Sequence, residues 1–241
     1  MKAPLNAVVL AAGLGTRLRP LTLSVPKPMV PAGGKPLVQH AIERLAEFGV
    51  GRVFLNLHAF PEQITSHFGD GRNFGIKIEY LNEPSLLGSA GTVRELGAAL
   101  RGGGDFLVWY GDNYCEIELS PFWAFHQEHN RLMTLAVHFR DDVQSSGVVE
   151  QDAAGLIKRF VEKPSDATHG GWVNGGIYGC SERVLDLLPH QPALDFGRDV
   201  IPRLLAAGEP LVAYRLREFL LGIDTPESYH RLQTRLEGQR A

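Results

Sequence analysis

The sequence predicts an α/β protein built on a doubly wound, mostly parallel sheet with a small antiparallel edge. Two observations lead there. Between Ala7 and His138, short apolar runs alternate with segments of helical spacing. After Gly147 the runs shorten and are divided by turn signals. In order, Ala7–Leu10 is a continuous apolar run, as a strand buried on both faces should be. Leu37–Phe48 puts Leu37, Val38, Ala41, Ile42, Leu45, Ala46 and Phe48 at helical spacing and meets Gly49 as a stop. Arg52–Leu57 reads as strand, Pro61–Phe68 as helix and Ile76–Tyr80 as an alternating strand. Thr92–Leu100 reads as helix, and Phe106–Tyr110 as a strand entering Gly111-Asp112. Pro121–His129 then reads as helix and Leu132–His138 as strand. Gly147–Glu150, Ile157–Val161 and Val173–Tyr178 are the short strands of the antiparallel edge. Arg198–Ala207, Leu211–Arg215 and Pro226–Leu236 follow as helix, strand and helix. No linker-like shift in composition interrupts the chain, so residues 1–241 are expected to form a single domain.

Composition excludes several classes. Twenty-four Lys+Arg against 27 Asp+Glu give a formal net charge of -3, which is no footprint for a nucleic-acid polymer but leaves room for a local basic pocket. Two cysteines are too few for a disulfide framework or a zinc site. Lys2 and the apolar run Ala7–Ala12 resemble a signal peptide only superficially, because the run is short and Gly13, Gly15 and Arg17 follow it. No stretch approaches the length of a membrane span, so a cytoplasmic location is expected. The 27 Gly and 15 Pro exceed average usage, and their placement carries the functional signal.

The first strand runs into Leu10-Ala11-Ala12-Gly13-Leu14-Gly15-Thr16-Arg17. A glycine-rich loop at the carboxyl end of a parallel strand is where such sheets bind ligands, because glycine lets backbone N–H groups approach phosphates without a Cβ clash. A dinucleotide fingerprint would need a third glycine where Leu18 stands, and a phosphate-binding P-loop would need Gly-Lys-Ser/Thr; both are absent. Pro20, Pro26, Pro28 and Pro31 forbid a regular helix. Arg17 adds charge, and so does Lys27, clamped between two prolines. A solvated Gly/Pro surface loop is the ordinary alternative, and the charges argue against it.

The run from Leu10 to Thr22, with Pro26-Lys27-Pro28-Met29 and Gly33 and Lys35-Pro36-Leu37 after it, resembles the signature of sugar-1-phosphate nucleotidyltransferases. The likeness continues through Leu87-Gly88-Ser89-Ala90-Gly91, Gly111-Asp112, Gly147-Val148-Val149, Glu162-Lys163-Pro164 and Asn174-Gly175-Gly176-Ile177-Tyr178, in the family's order. Two positions depart from it. Gly222-Ile223-Asp224-Thr225-Pro226 stands where many members have Asp-Ile-Gly-Thr-Pro, although some relatives carry a Gly-Val/Ile-Asp-Thr-Pro form. Ser146 stands where an aromatic often precedes Gly147.

The resemblance implies a Rossmann-like, GT-A-like fold and transfer of a nucleoside monophosphate from an NTP to a sugar 1-phosphate. A sugar-phosphate oxygen attacks the α-phosphorus in line and pyrophosphate leaves, so catalysis reduces to positioning and charge neutralisation. It implies that Arg17 holds the departing phosphates, Lys27 the α-phosphate and Lys163 the sugar phosphate. It implies Mg²⁺ as cofactor, held by Asp112 and Asp224; their ordinary readings are a turn residue and a helix cap. The nucleotide falls to Leu10, Ala11, Ala12, Gly13, Gly15, Thr16, Gly88 and Ser89, with Glu83 as a base or ribose contact. The sugar falls to Gly147, Glu162, Asn174 and Gly175. GTP with a mannose- or heptose-type sugar 1-phosphate leads, partly because the chain is short and lacks a β-helix tail. A UTP- or dTTP-dependent enzyme and a non-catalytic nucleotide-sugar-binding protein are the alternatives. The partners are small molecules, with no nucleic acid and no membrane, and a homo-oligomer is left open. The remaining conspicuous residues read as ordinary: His126 and His129 as surface histidines without a third zinc ligand, Trp109 as core, Cys115 as an unactivated thiol. Trp172 is a candidate substrate neighbour.

Overall fold

The computed structural model describes residues 3–165 and 169–239. β1 (Asn6–Leu10) leads into the glycine- and proline-rich loop, which ends in β2 (Pro31–Ala32) and β3 (Lys35–Pro36). α1 (Leu37–Phe48), β4 (Arg52–Leu57), α2 (Pro61–Phe68) and β5 (Lys77–Asn82) follow. Next come α3 (Ser89–Glu95), α4 (Gly97–Leu100), β6 (Phe106–Tyr110), β7 (Asn113–Cys115) and α5 (Leu119–His129). β8 (Met133–Arg140), β9 (Gly147–Gln151), β10 (Ile157–Glu162) and β11 (Gly171–Cys180) precede α6 (Ile201–Ala206). β12 (Val212–Arg215), β13 (Leu220–Gly222) and α7 (Pro226–Gly238) close the order. The class is α/β, as expected. Among the described residues no helix is long and apolar enough to cross a membrane.

The described chain divides into two compact units that share it by turns. The first contains residues 3–86, 109–117 and 218–239, and the second the rest. In the first unit β1, β4 and β5 are parallel neighbours. Ala7, Val8 and Val9 are wholly buried, which explains the unbroken apolar run. α1 buries Leu37, Val38, Ala41, Ile42 and Leu45 on one stripe and ends at Gly49, whose φ of 91° puts it in the left-handed cap conformation. Leu18 and Val30, from the Gly/Pro loop, are buried with Leu37 of α1 and with Leu232 and Leu236 of α7. That packing makes the loop part of a core rather than a surface flap.

In the second unit β8 is paired antiparallel with β11 and parallel with β12, while β9 is antiparallel to β10. The β8–β11 register shifts between Asn174 and Tyr178. The bulge falls on the segment expected to contact sugar.

Three features differ from the sequence reading. The helix expected over Thr92–Leu100 starts at Ser89 and is broken after Glu95. The Leu194 carbonyl accepts from the Ala90 and Gly91 N–H groups and so starts α3 early, and Gly97, a poor helix former, follows the break. The helix expected from Arg198 begins as a wide turn, Phe196–Val200, capped by Asp195. Pro202 has no N–H to give the Arg198 carbonyl, so regular α geometry starts only at Ile201. The third is the β7–β13 pairing, with Asn113 opposite Gly222. Its strands are three residues long and far apart in the chain, beyond the reach of periodicity. Ile223 N–H donates to the Asp112 carbonyl at 2.9 Å beside it, which brings Gly111-Asp112 alongside Ile223-Asp224.

Candidate functional site

In the first unit the backbone gathers four charged side chains. The Lys27 ammonium meets Asp112 and, at 2.7 Å, Asp224 Oδ1. Arg17 Nη2 reaches the same Asp224 oxygen at 2.9 Å. Lys27 is only 5% exposed. Burial alone would lower its pKa, but the Asp112 and Asp224 carboxylates outweigh that and lift it above the usual lysine value. The ammonium is therefore charged and balanced against two carboxylates. Removing it would leave like charges facing each other.

Gly15 shows how the loop is built. Its φ is 62°, and a Cβ there would lie 2.8 Å from Lys27 Cβ. Glycine thus lets the loop turn and makes room for the lysine stem. A Cβ on Gly13 would meet nothing within 4 Å, so that backbone faces open space. Thr16 is exposed beside Arg17.

Leu10–Ala12 is braced from beneath. Ala11 N–H donates to Asn56 Oδ1 at 2.5 Å, and Asn56 Nδ2 donates to Glu83 Oε1 at 2.9 Å. Glu83, expected to touch base or ribose, is only 3% exposed and supports the loop through Asn56. It also lines a cavity of about 360 Å³ with Leu57, His58 and Asn82, within the range of small-molecule pockets. Asn56 escaped the sequence reading. Its one signal is an amide breaking the apolar run Val53–Leu57 near the carboxyl end of its strand.

Asp224 is not the cap of α7. Thr225 takes that place, its hydroxyl accepting from Ser228 N–H in a reciprocal capping box. The Asp224 side chain instead meets Lys27 and Arg17.

The second unit carries the other expected residues. Gly88 has φ 77°, and a Cβ there would lie 2.5 Å from the Leu194 carbonyl oxygen. Ser89 Oγ donates to Asp195 Oδ2 at 2.8 Å. Lys163 has φ 48°, a left-handed conformation that lysine rarely adopts. Its N–H donates to the Ser146 carbonyl at 3.0 Å, and its side chain is 60% exposed, 3.7 Å from Glu162. Such a conformation persists only where the surroundings hold it; Phe60 and Asn130 share it. Burial, with the charge of Asp195, lifts the Glu162 pKa above the usual carboxylate value, against the pull of Lys163 and Arg198. A Cβ on Gly147 would meet Phe160 and, at 2.8 Å, Glu162 Oε2, so this glycine clears space for the carboxylate. Asn174 Nδ2 donates to Tyr178 Oη at 2.6 Å, and its Oδ1 accepts from Gly176 N–H, which spans the β11 bulge. Gly175 is buried within that bulge.

Other expectations resolve simply. Trp109 is core. Burial pushes the Cys115 thiol up to about 12, leaving it inert at neutral pH. Trp172 packs against Phe139 and the Arg215 guanidinium. His126 is a correction: it is buried, with Nδ1 2.8 Å from Thr134 Oγ1, because α5 turns it toward β8. Among the described residues no group of three or more His, Cys, Asp or Glu side chains gathers as a metal cage.

The chain is similar to known proteins along most of its length. The Nucleotidyl transferase family matches residues 6–238. A mannose-1-phosphate guanylyltransferase of Mycobacterium tuberculosis is 34% identical over 94% of this chain and 63% of its own length. A UTP–glucose-1-phosphate uridylyltransferase of Synechocystis is 33% identical over 88% of this chain and 58% of its own. The chain thus spans about three fifths of the length of these curated relatives. HddC from Yersinia pseudotuberculosis, solved in complex with GMP-PN, superposes with a TM-score of 0.80 at 26% identity, covering 95% of this chain and 98% of that one. With its motifs in order and the family match running nearly end to end, the chain belongs to the nucleotidyl transferase family.

Proposed function

We propose that this chain transfers a nucleoside monophosphate from GTP to a mannose- or heptose-type sugar 1-phosphate, giving an NDP-sugar and pyrophosphate. A phosphate oxygen of the sugar 1-phosphate attacks the α-phosphorus. The bond from that phosphorus to the oxygen bridging to the β-phosphate breaks, and pyrophosphate departs. The nucleophile is already an anion, so no residue need remove a proton. The observation that carries the reading is the cluster that joins Arg17 and Lys27 of the glycine-rich loop to Asp112 and Asp224.

Arg17 binds the phosphates that leave. Lys27 exchanges its carboxylates for the α-phosphate and balances charge there as the bond breaks. The open Gly13 backbone and the Gly15–Thr16 turn give the triphosphate its approach, and Leu10–Ala12, braced by Asn56, presents backbone to the base. Glu83 acts through that brace, with the adjoining cavity as the base's neighbour. Gly88 and Ser89 complete the nucleotide loop. Lys163 takes the phosphate of the sugar, and Glu162, Asn174, Gly175 and Gly147 shape the sugar's surroundings.

Members of this family generally use a divalent metal, and we assign Mg²⁺. Asp112 and Asp224 fit it: two carboxylates converge on one cation, Lys27, in a set without sulfur or imidazole. When bound, Mg²⁺ supplies charge neutralisation at the phosphates.

The test is pyrophosphate release with each of four NTPs against a panel of sugar 1-phosphates. The expected result is turnover with GTP and a mannose- or heptose-type substrate. Turnover with UTP or dTTP instead would establish the alternative that the uridylyltransferase relative favours. No release with any pair, alongside measurable nucleotide-sugar binding, would make the chain a non-catalytic binder. We further propose a cytoplasmic protein acting on small molecules alone.

A further inference from the structure

We infer that Asp195 and Gly197, which no motif of the sequence reading included, are positioning residues for the sugar 1-phosphate. Asp195 pins the Leu194–Arg198 segment to the nucleotide loop, and Gly197 sets where the Glu162 carboxylate can lie. The inference rests on the reading of Glu162 and Lys163 as ligands of the sugar 1-phosphate.

The pinning is dense. Leu194 N–H donates to the Leu87 carbonyl at 2.8 Å, and the Leu194 carbonyl accepts from Ala90 and Gly91 N–H, both at 2.9 Å. Asp195 Oδ2 accepts from the Ser89 hydroxyl at 2.8 Å, and that hydroxyl accepts from Phe196 N–H at 2.9 Å. Asp195 Oδ1 accepts from the N–H groups of Gly197 and Arg198, while Asp195 N–H donates to Asp199 Oδ2 at 2.7 Å. One carboxylate thus joins the loop, through Ser89, to the first turn of the following helix.

On its other side the segment meets Glu162. A Cβ on Gly197 would lie 2.5 Å from Glu162 Oε2, and one on Gly147 2.8 Å from the same oxygen. The Glu162 carboxylate therefore sits in a slot walled by two residues that lack side chains. Three charged groups act on it there: Lys163 and Arg198 favour its ionised form, and Asp195 opposes it. A shift of the segment would move both the wall and two of those charges, Asp195 and Arg198.

Two variants separate positioning from mere folding. In Gly197→Ala the new methyl meets the tip of a flexible side chain rather than backbone, so the fold survives and the carboxylate must move. The expected result is a rise of about tenfold in KM for the sugar 1-phosphate, with KM for the NTP changed less than about twofold and an unchanged melting temperature. Asp195→Asn removes the charge that opposes ionisation, so Glu162 should titrate at lower pH. ¹³C NMR of glutamate-labelled protein, with the resonance assigned through Glu162→Gln, reads this without turnover. Equal changes in both KM values for Gly197→Ala, or an unmoved Glu162 titration in Asp195→Asn, would overturn the inference. If instead the wild-type protein turns over no NTP and sugar 1-phosphate pair, the functional reading has failed, and the NMR shift still decides whether Asp195 acts on Glu162.

Discussion

The two units hold charge in opposite ways. In the first, Lys27 is buried and its charge is met by two carboxylates, with Arg17 sharing one of them. In the second, Lys163 is exposed and only loosely paired, and order comes from its left-handed backbone and from glycines that clear a slot for Glu162. One region is preorganised by ion pairs that the proposed phosphate ligand would have to exchange. The other is preorganised by backbone shape, around a cation that water still reaches. Variants that remove charge should therefore wound the first region more deeply, and variants that alter shape should wound the second.

The largest expected effect is Lys27→Met. It removes the cation proposed for the α-phosphate and leaves Asp112 facing Asp224. Turnover should fall by about 10³-fold, measured as pyrophosphate release. A loss below about tenfold would show that the buried pairing is structural and the contrast between the regions false.

Lys163→Ala comes next. Because Lys163 is exposed and loosely paired, its loss should leave stability nearly unchanged while raising KM for the sugar 1-phosphate by about 10²-fold. Calorimetry should show NTP binding unaltered. Equal loss for both substrates would remove the distinction between the two regions.

How far these regions could be read beforehand differs as well. The motifs on contiguous stretches, Gly13 to Lys27 and Glu162-Lys163, declared their charges openly. What stayed hidden depends on pairing between distant segments. Asp112 and Asp224 meet because Asn113–Cys115 pairs with Leu220–Gly222, strands too short to carry a periodic pattern. The sequence offers Glu83 as a base or ribose contact, but its support of Ala11 passes through Asn56, a contact that no local rule contains. His126 followed helical spacing correctly, yet which face of α5 is buried is settled by β8, not by α5 itself. Helix and strand identity were mostly legible because burial imposes periods; Pro202 and Gly97 shifted helix boundaries through hydrogen bonds that periodicity does not register.

A smaller effect would sharpen the comparison within the first unit. Asn56→Ala removes the acceptor of Ala11 N–H and the amide that donates to the Glu83 carboxylate. The cost should be about 1–3 kcal/mol of stability, read by denaturant unfolding, with KM for the NTP raised about tenfold and that for the sugar 1-phosphate unmoved. A change in the second alone would refute the role of the brace.

The last expected effect lies in the second unit, touches no proposed substrate contact and is felt only at acid pH. Burial, with Arg140 adding to it, lowers the His138 pKa to about 4. An unfolded histidine titrates near 6.5, so between about 6.5 and 4 the unfolded chain binds more protons and stability falls as pH falls. The loss should approach about 3 kcal/mol at pH 4, and His138→Gln should flatten that part of the curve. An identical pH dependence in the variant would mean that the imidazole is not held neutral.

The way the chain shares itself between its units bears on how the gene can be cut. Residues 218–239 return to the first unit and bring Asp224 to Lys27. A stop codon ahead of Leu220 would spare the entire glycine-rich loop and every residue of the second unit. It would nevertheless strip Lys27 of one of its two counter-charges and the loop of the Leu232 and Leu236 side chains beneath it. Such a truncation would keep nearly all the recognisable signature while lacking a residue of the proposed phosphate site, so a motif search would pass a gene that a nucleotide-binding measurement is expected to reject.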